Sequence, residues 1–152
     1  MSVVVQKAAI QQRKAIASLL RRSRIGRDSV QSIRGMWVAM VGTRVVGTTG
    51  IELIRGVAVL HSVAIDKPLR RRGIGFRLVT HGITEAQARG ATAVALVTMF
   101  WNVNFFRCFG FRTVSRKDLP SQLQQLDLFS SPKYRFTTPM MLDMRRNQKS
   151  LD

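Results

Sequence analysis

Two periods alternate along the chain. Residues 36–41, 45–54 and 57–65 are strand-like runs rich in valine, isoleucine and threonine, separated only by Gly42-Thr43-Arg44 and Arg55-Gly56. Links this short join strands that neighbour one another antiparallel, so the pattern predicts a three-strand meander. Over residues 73–89 the spacing changes, and pairs recur four apart: Ile74 with Leu78, Val79 with Ile83, Gly82 with Ala86. That is a helix, and Gly90 suits its C-terminal cap. Residues 91–98 are nearly all apolar, as in a strand buried on both faces in the parallel part of a sheet.

The ends carry weaker signals. Ser2-Val3-Val4-Val5 predicts a first strand, and Ile16, Leu19 and Leu20 share one face of a following helix. A short helix is expected over 102–108, a strand over 111–114, a helix over 118–126 and a last strand over 137–144. The polar tail from Arg145 is expected to fray. With no internal repeat and no linker, the reading is one α/β domain of mixed sheet over residues 1–144, followed by a basic tail, 145–152.

Composition narrows the class. At 152 residues and 45% hydrophobic, the chain can bury about two-thirds of its surface in a single core. No apolar run approaches the roughly 18 to 20 residues of a membrane span, and the start lacks a secretory signal, so a cytoplasmic protein is expected. One cysteine, Cys108, permits no internal disulfide. Two histidines without a cysteine cluster give no zinc spacing, and no metal is expected. The net charge is +17, from 25 Lys and Arg against 8 Asp and Glu. Before residue 28 there is no acid at all, a pattern shared with mitochondrial transit peptides. The predicted strand and helix give that segment a place in the fold instead.

The most informative segment is Arg70-Arg71-Arg72-Gly73-Ile74-Gly75, set between a predicted strand and a predicted helix. Glycines let backbone approach a phosphate, the N–H groups of a helix start point outward, and the helix dipole favours an anion there. Adjacent arginines add charge-assisted hydrogen bonds. The segment has neither the GxGxxG of a dinucleotide fold nor the GKS/GKT of a P-loop.

It resembles the signature of the GNAT superfamily of N-acetyltransferases, Arg/Gln-x-x-Gly-x-Gly/Ala after a strand ending in an Ala-Val-like pair. Here the pair is Ala64-Ile65 and the signature Arg70-x-x-Gly73-x-Gly75; downstream, Phe105-Phe106-Arg107-Cys108-Phe109-Gly110-Phe111 resembles the family's Phe-Tyr-x-x-x-Gly-Phe. A narrower likeness, carried by residues 62–65, 96–98, Asp118-Leu119-Pro120 and Met140/Met141, is to arsenic-resistance-type and amino-acid acetyltransferases such as N-acetylglutamate synthase. That branch usually has Arg-Ser at His61-Ser62 and Cys-Pro at Ser131-Pro132. The resemblance implies a mostly antiparallel central sheet of about six to seven strands flanked by helices. It also implies acetyl-CoA as cosubstrate, with N–H groups along Val63-Ala64-Ile65 holding the pantetheine and residues Arg70 to Gly75 the pyrophosphate.

Acetyl transfer to an amine needs a base, a held thioester and a route for the departing thiolate. His61 falls where arylalkylamine acetyltransferases carry a strand histidine, and its ordinary pKa suits the task; it is equally a histidine on a strand face with no role. Glu52, on the preceding strand, is the alternative base. The family's tyrosine acid matches Phe106, which has no hydroxyl, so Tyr134, water or a weakly active site are the alternatives. Asn102 and Asn104 cap the short helix or bond the pantetheine. Trp37 and Trp101 are expected in core or pocket wall, and Cys108 as a packed small residue.

The +17 charge favours anionic, amino-acid-like acceptors over polyamines. Arg21, Arg22, Arg24, Arg27, Arg145 and Arg146 raise a nucleic-acid- or ribosome-associated protein, including one acting on protein N-termini, as the alternative. An inactive acetyl-CoA sensor follows from Phe106. A homodimer is compatible with all of these.

Overall fold

The computed structural model describes residues 2–25 and 33–145. The expectations for Arg27, Arg146 and the rest of the tail lie outside them. Among the described residues seven strands are hydrogen-bonded in the order β1-β2-β3-β4-β5-β7-β6. They are β1 (Val4–Lys7), β2 (Met36–Val41), β3 (Arg44–Ile54), β4 (Val57–Ile65), β5 (Ala93–Thr98), β6 (Arg112–Thr113) and β7 (Thr138–Asp143). The helices are α1 (Arg13–Arg22), α2 (Ile74–Ala88), α3 (Val103–Arg107), α4 (Ser121–Gln124) and α5 (Asp127–Ser130). Among the described residues no helix is long and apolar enough to cross a membrane.

Two compact units divide the chain, Met1–Glu52 with Leu60–Glu85, and Leu53–Val59 with Ala86–Asp152. In the first, β1 pairs antiparallel with β2, and β2 with β3. Alternation along β2 and β3 sends side chains to two faces. Val38, Met40 and Val45 join Ala64 and α1's Ile16, Leu19 and Leu20 in one core. Their neighbours Ala39 and Val46 pack against Ile74 and Leu78 of α2 in another. Each fully buried leucine or isoleucine contributes about 1.5 to 3 kcal/mol. The Arg55-Gly56 link between β3 and β4 has positive φ at both residues, +46° and +86°, the geometry of a type I′ hairpin turn.

The second unit is built on β5. It runs parallel to the start of β4, with Val57 opposite Ala93, and antiparallel to β7, which pairs with β6. Val57, Val59, Ala93, Ala95, Leu119, Leu123 and Phe129 form its core. The single helix predicted over 118–126 is instead a 3-10 turn at Arg116–Asp118 followed by the one-turn helices α4 and α5. Pro120 interrupts the hydrogen-bond ladder, since it has no N–H to donate. The Arg116 guanidinium ties the segment together, donating to the carbonyls of Phe129 (3.2 Å), Tyr134 (2.7 Å) and Thr137 (3.2 Å).

Three smaller expectations are corrected. Trp101 is 63% exposed, edge-on to Phe100, rather than in the core. Cys108 is exposed rather than packed, its thiol donating to the Asn104 carbonyl. Asn102 occupies the N-cap position of α3, but its side chain makes no capping hydrogen bond; the Asn104 side chain accepts from Arg107. Trp37 is half-buried against the His81 ring at 4.1 Å.

Candidate functional site

The sequence motif becomes a turn whose backbone is set by two left-handed residues. Arg71 has φ +65° and Gly73 φ +82°, and α2 begins at the next residue. A helix leaves the N–H groups of its first turn without intrahelical acceptors, and α2 is 15 residues long, enough for a substantial dipole. Arg70, Arg71, Arg72 and Gly73 are exposed, while Ile74 is 2% exposed and belongs to the core. Ile74 therefore anchors the helix start. A side chain on Gly73 would meet nothing within 4 Å, so the space above it is open. An open turn of this kind, with three exposed arginines in the residues before it, could hold a pyrophosphate.

Ion pairs and hydrogen bonds fix the turn to the strand before it. Asp66, 6% exposed, follows β4 directly and pairs with Arg44 of β3 and, at 3.6 Å, with Arg22 at the end of α1. Its N–H donates to the Val46 carbonyl and its carbonyl accepts from Leu69. Arg70 Nε donates to the Ile65 carbonyl at 3.1 Å. Arg21 and Arg24 are exposed, so the described part of that basic cluster is a solvated edge with Arg22 committed to Asp66.

Within the first unit β4 also carries Val63, Ala64 and Ile65. The ladder with β5 pairs Val57, Ala58 and Val59, and Val63 and Ile65 lie beyond its last pair. Ala64 is buried against α1 and Ile65 partly buried against α2. His61 lies half-buried across Gly50 of β3; a Cβ there would be 2.7 Å from Nε2 and 2.8 Å from Nδ1. Nδ1 is 2.9 Å from the Ser62 hydroxyl. Burial pushes the imidazole's pKa below the ordinary 6.5, and the Glu52 carboxylate pulls it the other way. Glu52 itself is exposed.

Thus His61, Glu52, residues 63–65 and the turn all belong to one unit. Asn102 and Phe106 belong to the other, where Phe106 is 7% exposed against Phe105 and Phe111. Sequence reading missed Asp66, Gly50, Ser62 and Thr48. A signal existed for Gly50, a glycine interrupting a β-branched run in register with the strand histidine.

The model of the acetyltransferase (GNAT) family matches residues 11–111. The chain belongs to that family, whose enzymes carry out acetyl-CoA-dependent N-acetyl transfer. No curated protein sequence matches the chain. Among solved structures, N-acetylglutamate synthase from Neisseria gonorrhoeae, complexed with coenzyme A and N-acetyl-glutamate, superposes with a TM-score of 0.82 at 18% identity. That match covers 94% of this chain and 35% of the synthase, so the chain spans about a third of its length. Rv2747 from Mycobacterium tuberculosis, in complex with CoA and NLQ, gives a TM-score of 0.79 at 19% identity, covering 92% of this chain and 98% of the other. The ribosomal-protein-S18-alanine N-acetyltransferase of Escherichia coli gives 0.69 at 16%, covering 93% and 94%. The fold of this GNAT chain is therefore shared with enzymes of both small-molecule and protein acceptors.

Proposed function

We propose that this protein moves an acetyl group from acetyl-CoA to the amine of a small acceptor, amino-acid-like or otherwise anionic, by direct attack. The observation that carries the cosubstrate is the turn: left-handed Arg71 and Gly73, three exposed arginines, and the start of α2. The acceptor class is supported by the +17 charge and by the N-acetyl-glutamate in the superposed synthase structure. Residues 1–144 act in this reading as one acetyltransferase domain, in the cytoplasm; the family match at 11–111 runs through both compact units.

Bound acetyl-CoA supplies the activated acetyl group. Arg70, Arg71 and Arg72 neutralise its phosphates, and the N–H groups of Gly73, Ile74 and Gly75 bond them. The N–H groups of Val63 and Ile65 hold the pantetheine, with Ala64 packed into the core behind them. His61 takes the acceptor's proton on Nε2. Its lowered pKa leaves the imidazole neutral, and so able to accept a proton, at pH 7. Glu52 stands by as the alternative base. Phe106 has no proton to give, so the thiolate is protonated by water or by Tyr134, and Tyr134→Phe separates the two. Asn102 and Phe106 are assigned by resemblance alone.

A thiol-release screen tests this reading, with acetyl-CoA against the amino acids, amine-bearing antibiotics and a peptide beginning with alanine. Release with an anionic amino acid supports it. Release with the peptide alone moves the protein to the protein-acetylating class, and no release with any amine leaves the inactive sensor.

A further inference from the structure

A strained serine stands inside a strand. Ser62 has φ +55° in the middle of β4, a conformation costing a non-glycine residue about 1 to 2 kcal/mol. Among the described residues the other non-glycine positions with positive φ are Arg24, Arg55 and Arg71, all in turns. The kink at Ser62 is held from β3, where the buried Thr48 hydroxyl donates to the Ser62 carbonyl at 2.7 Å.

The side chains explain what the kink achieves. Successive side chains of a regular strand point to opposite faces, and residues 61 and 62 would not meet. With Ser62 left-handed, its hydroxyl is 2.9 Å from His61 Nδ1, and the serine is 7% exposed. The ring's place is cut out of β3 by the missing side chain of Gly50. One nitrogen is thus bonded to a buried partner, and the ring cannot slide along the strand.

We propose that Ser62 is a positioning residue for acetyl transfer: its oxygen accepts the Nδ1–H of His61, which fixes the tautomer with its free electron pair on Nε2 and steadies the imidazolium once the acceptor's proton arrives there. This rests on His61 being the base. As the amine's N–C bond to the acetyl carbon forms, its N–H bond breaks and the proton goes to Nε2. The C–S bond breaks with its electron pair on sulfur; Nδ1 keeps its proton throughout. A hydrogen bond to the charged ring favours the charged form, opposing burial. On the surrounding elements, β2 and the rest of β4 carry no charged residue. On β3, Arg44 is committed to Asp66, and Glu52 is the charge whose field reaches the ring. The cations of α1, Arg13, Lys14, Arg21 and Arg22, are exposed.

The test uses Ser62→Ala and Ser62→Gly. Glycine takes positive φ freely, so it keeps the kink and loses only the hydroxyl. Nitrogen-15 NMR titration of His61 reads tautomer and pKa without any acceptor. Thiol release from acetyl-CoA with a mixture of the twenty amino acids gives the pH profile. Both variants are expected to lose the preference for the Nδ1–H tautomer, to lower the pKa and the acid limb together by about one unit, and to leave KM for acetyl-CoA unchanged. Wild-type tautomer and pKa in both variants would overturn the proposal, as would an effect of alanine that glycine does not share. An acid limb that survives in His61→Gln overturns the base assignment itself, whereas a limb lost there and unmoved in both serine variants overturns only the role of Ser62.

Discussion

The His61 imidazole occupies the space that a side chain on Gly50 would need, with both ring nitrogens within 2.8 Å of the position of the absent Cβ. The two strands are thus matched residue to residue: β3 is hollowed where β4 carries its histidine. Gly50→Ala must turn the ring away. If His61 is the base, kcat falls by about 100-fold while the acetyl-CoA Kd, which depends on a different part of the unit, stays within about twofold. Steady-state kinetics paired with calorimetry checks both numbers.

Stability should respond to pH through the same histidine. Its folded pKa lies below 6.5 because the ring is buried, with Glu52 offsetting part of the shift. Between that lowered value and 6.5 the unfolded chain holds more protons than the folded one, so stability rises with pH across the window. The contribution is complete above about 6.5 and is lost as pH falls through the folded pKa. Melting temperatures of wild type and His61→Gln, compared from pH 8 to pH 4.5, should diverge in that window, with the wild type losing more on acidification.

Asp66 joins three segments of the first unit through one buried carboxylate. Its partners Arg22 and Arg44 are 56% and 67% exposed, so they lose little when it is removed. Asp66→Asn should therefore cost only about 1 to 2 kcal/mol, seen in chemical denaturation. The larger effect is expected on the turn that follows, as a rise in KM for acetyl-CoA.

Arg116 gathers three carbonyls of the second unit and the Thr137 hydroxyl. Charge-assisted hydrogen bonds to partly buried carbonyls are each worth about 1.5 to 3 kcal/mol, and their loss is not additive. Arg116→Ala should destabilise by about 3 kcal/mol, and Arg116→Lys by less, because an ammonium cannot reproduce the planar fork. Urea unfolding of the two variants measures the difference.

The parts of the fold that could be read from sequence are those where local pattern and tertiary role agree. Strands β2 and β4 begin and end where their β-branched runs do, because short links close both hairpins and alternation fixes the faces. The parallel placement of β5 follows from its unbroken apolar run. The segment 118–126 misled because Leu119, Leu123 and Leu126 have helical spacing, although a proline and a guanidinium from Arg116 shape it into turns. Trp101 and Cys108 flank α3, where a five-residue helix buries little besides Phe106. The turn ahead of α2 was legible because Gly73 stands between a predicted strand and a predicted helix, and its φ is positive. The pairing of His61 with Ser62 was hidden: a left-handed serine inside a strand leaves no mark in composition or period, and its cause, Thr48, is on another strand.

Acetyl-CoA binding by wild type and Gly73→Val tests the central claim most directly. Gly73 has φ +82°, which a β-branched residue cannot hold without strain. Calorimetric titration should give saturable binding by wild type, with a thermal stabilisation near 2.7 kcal/mol at 100 times Kd. Gly73→Val should bind at least about tenfold more weakly, a loss of about 1.4 kcal/mol. No binding by wild type, or equal binding by the two, would contradict the account.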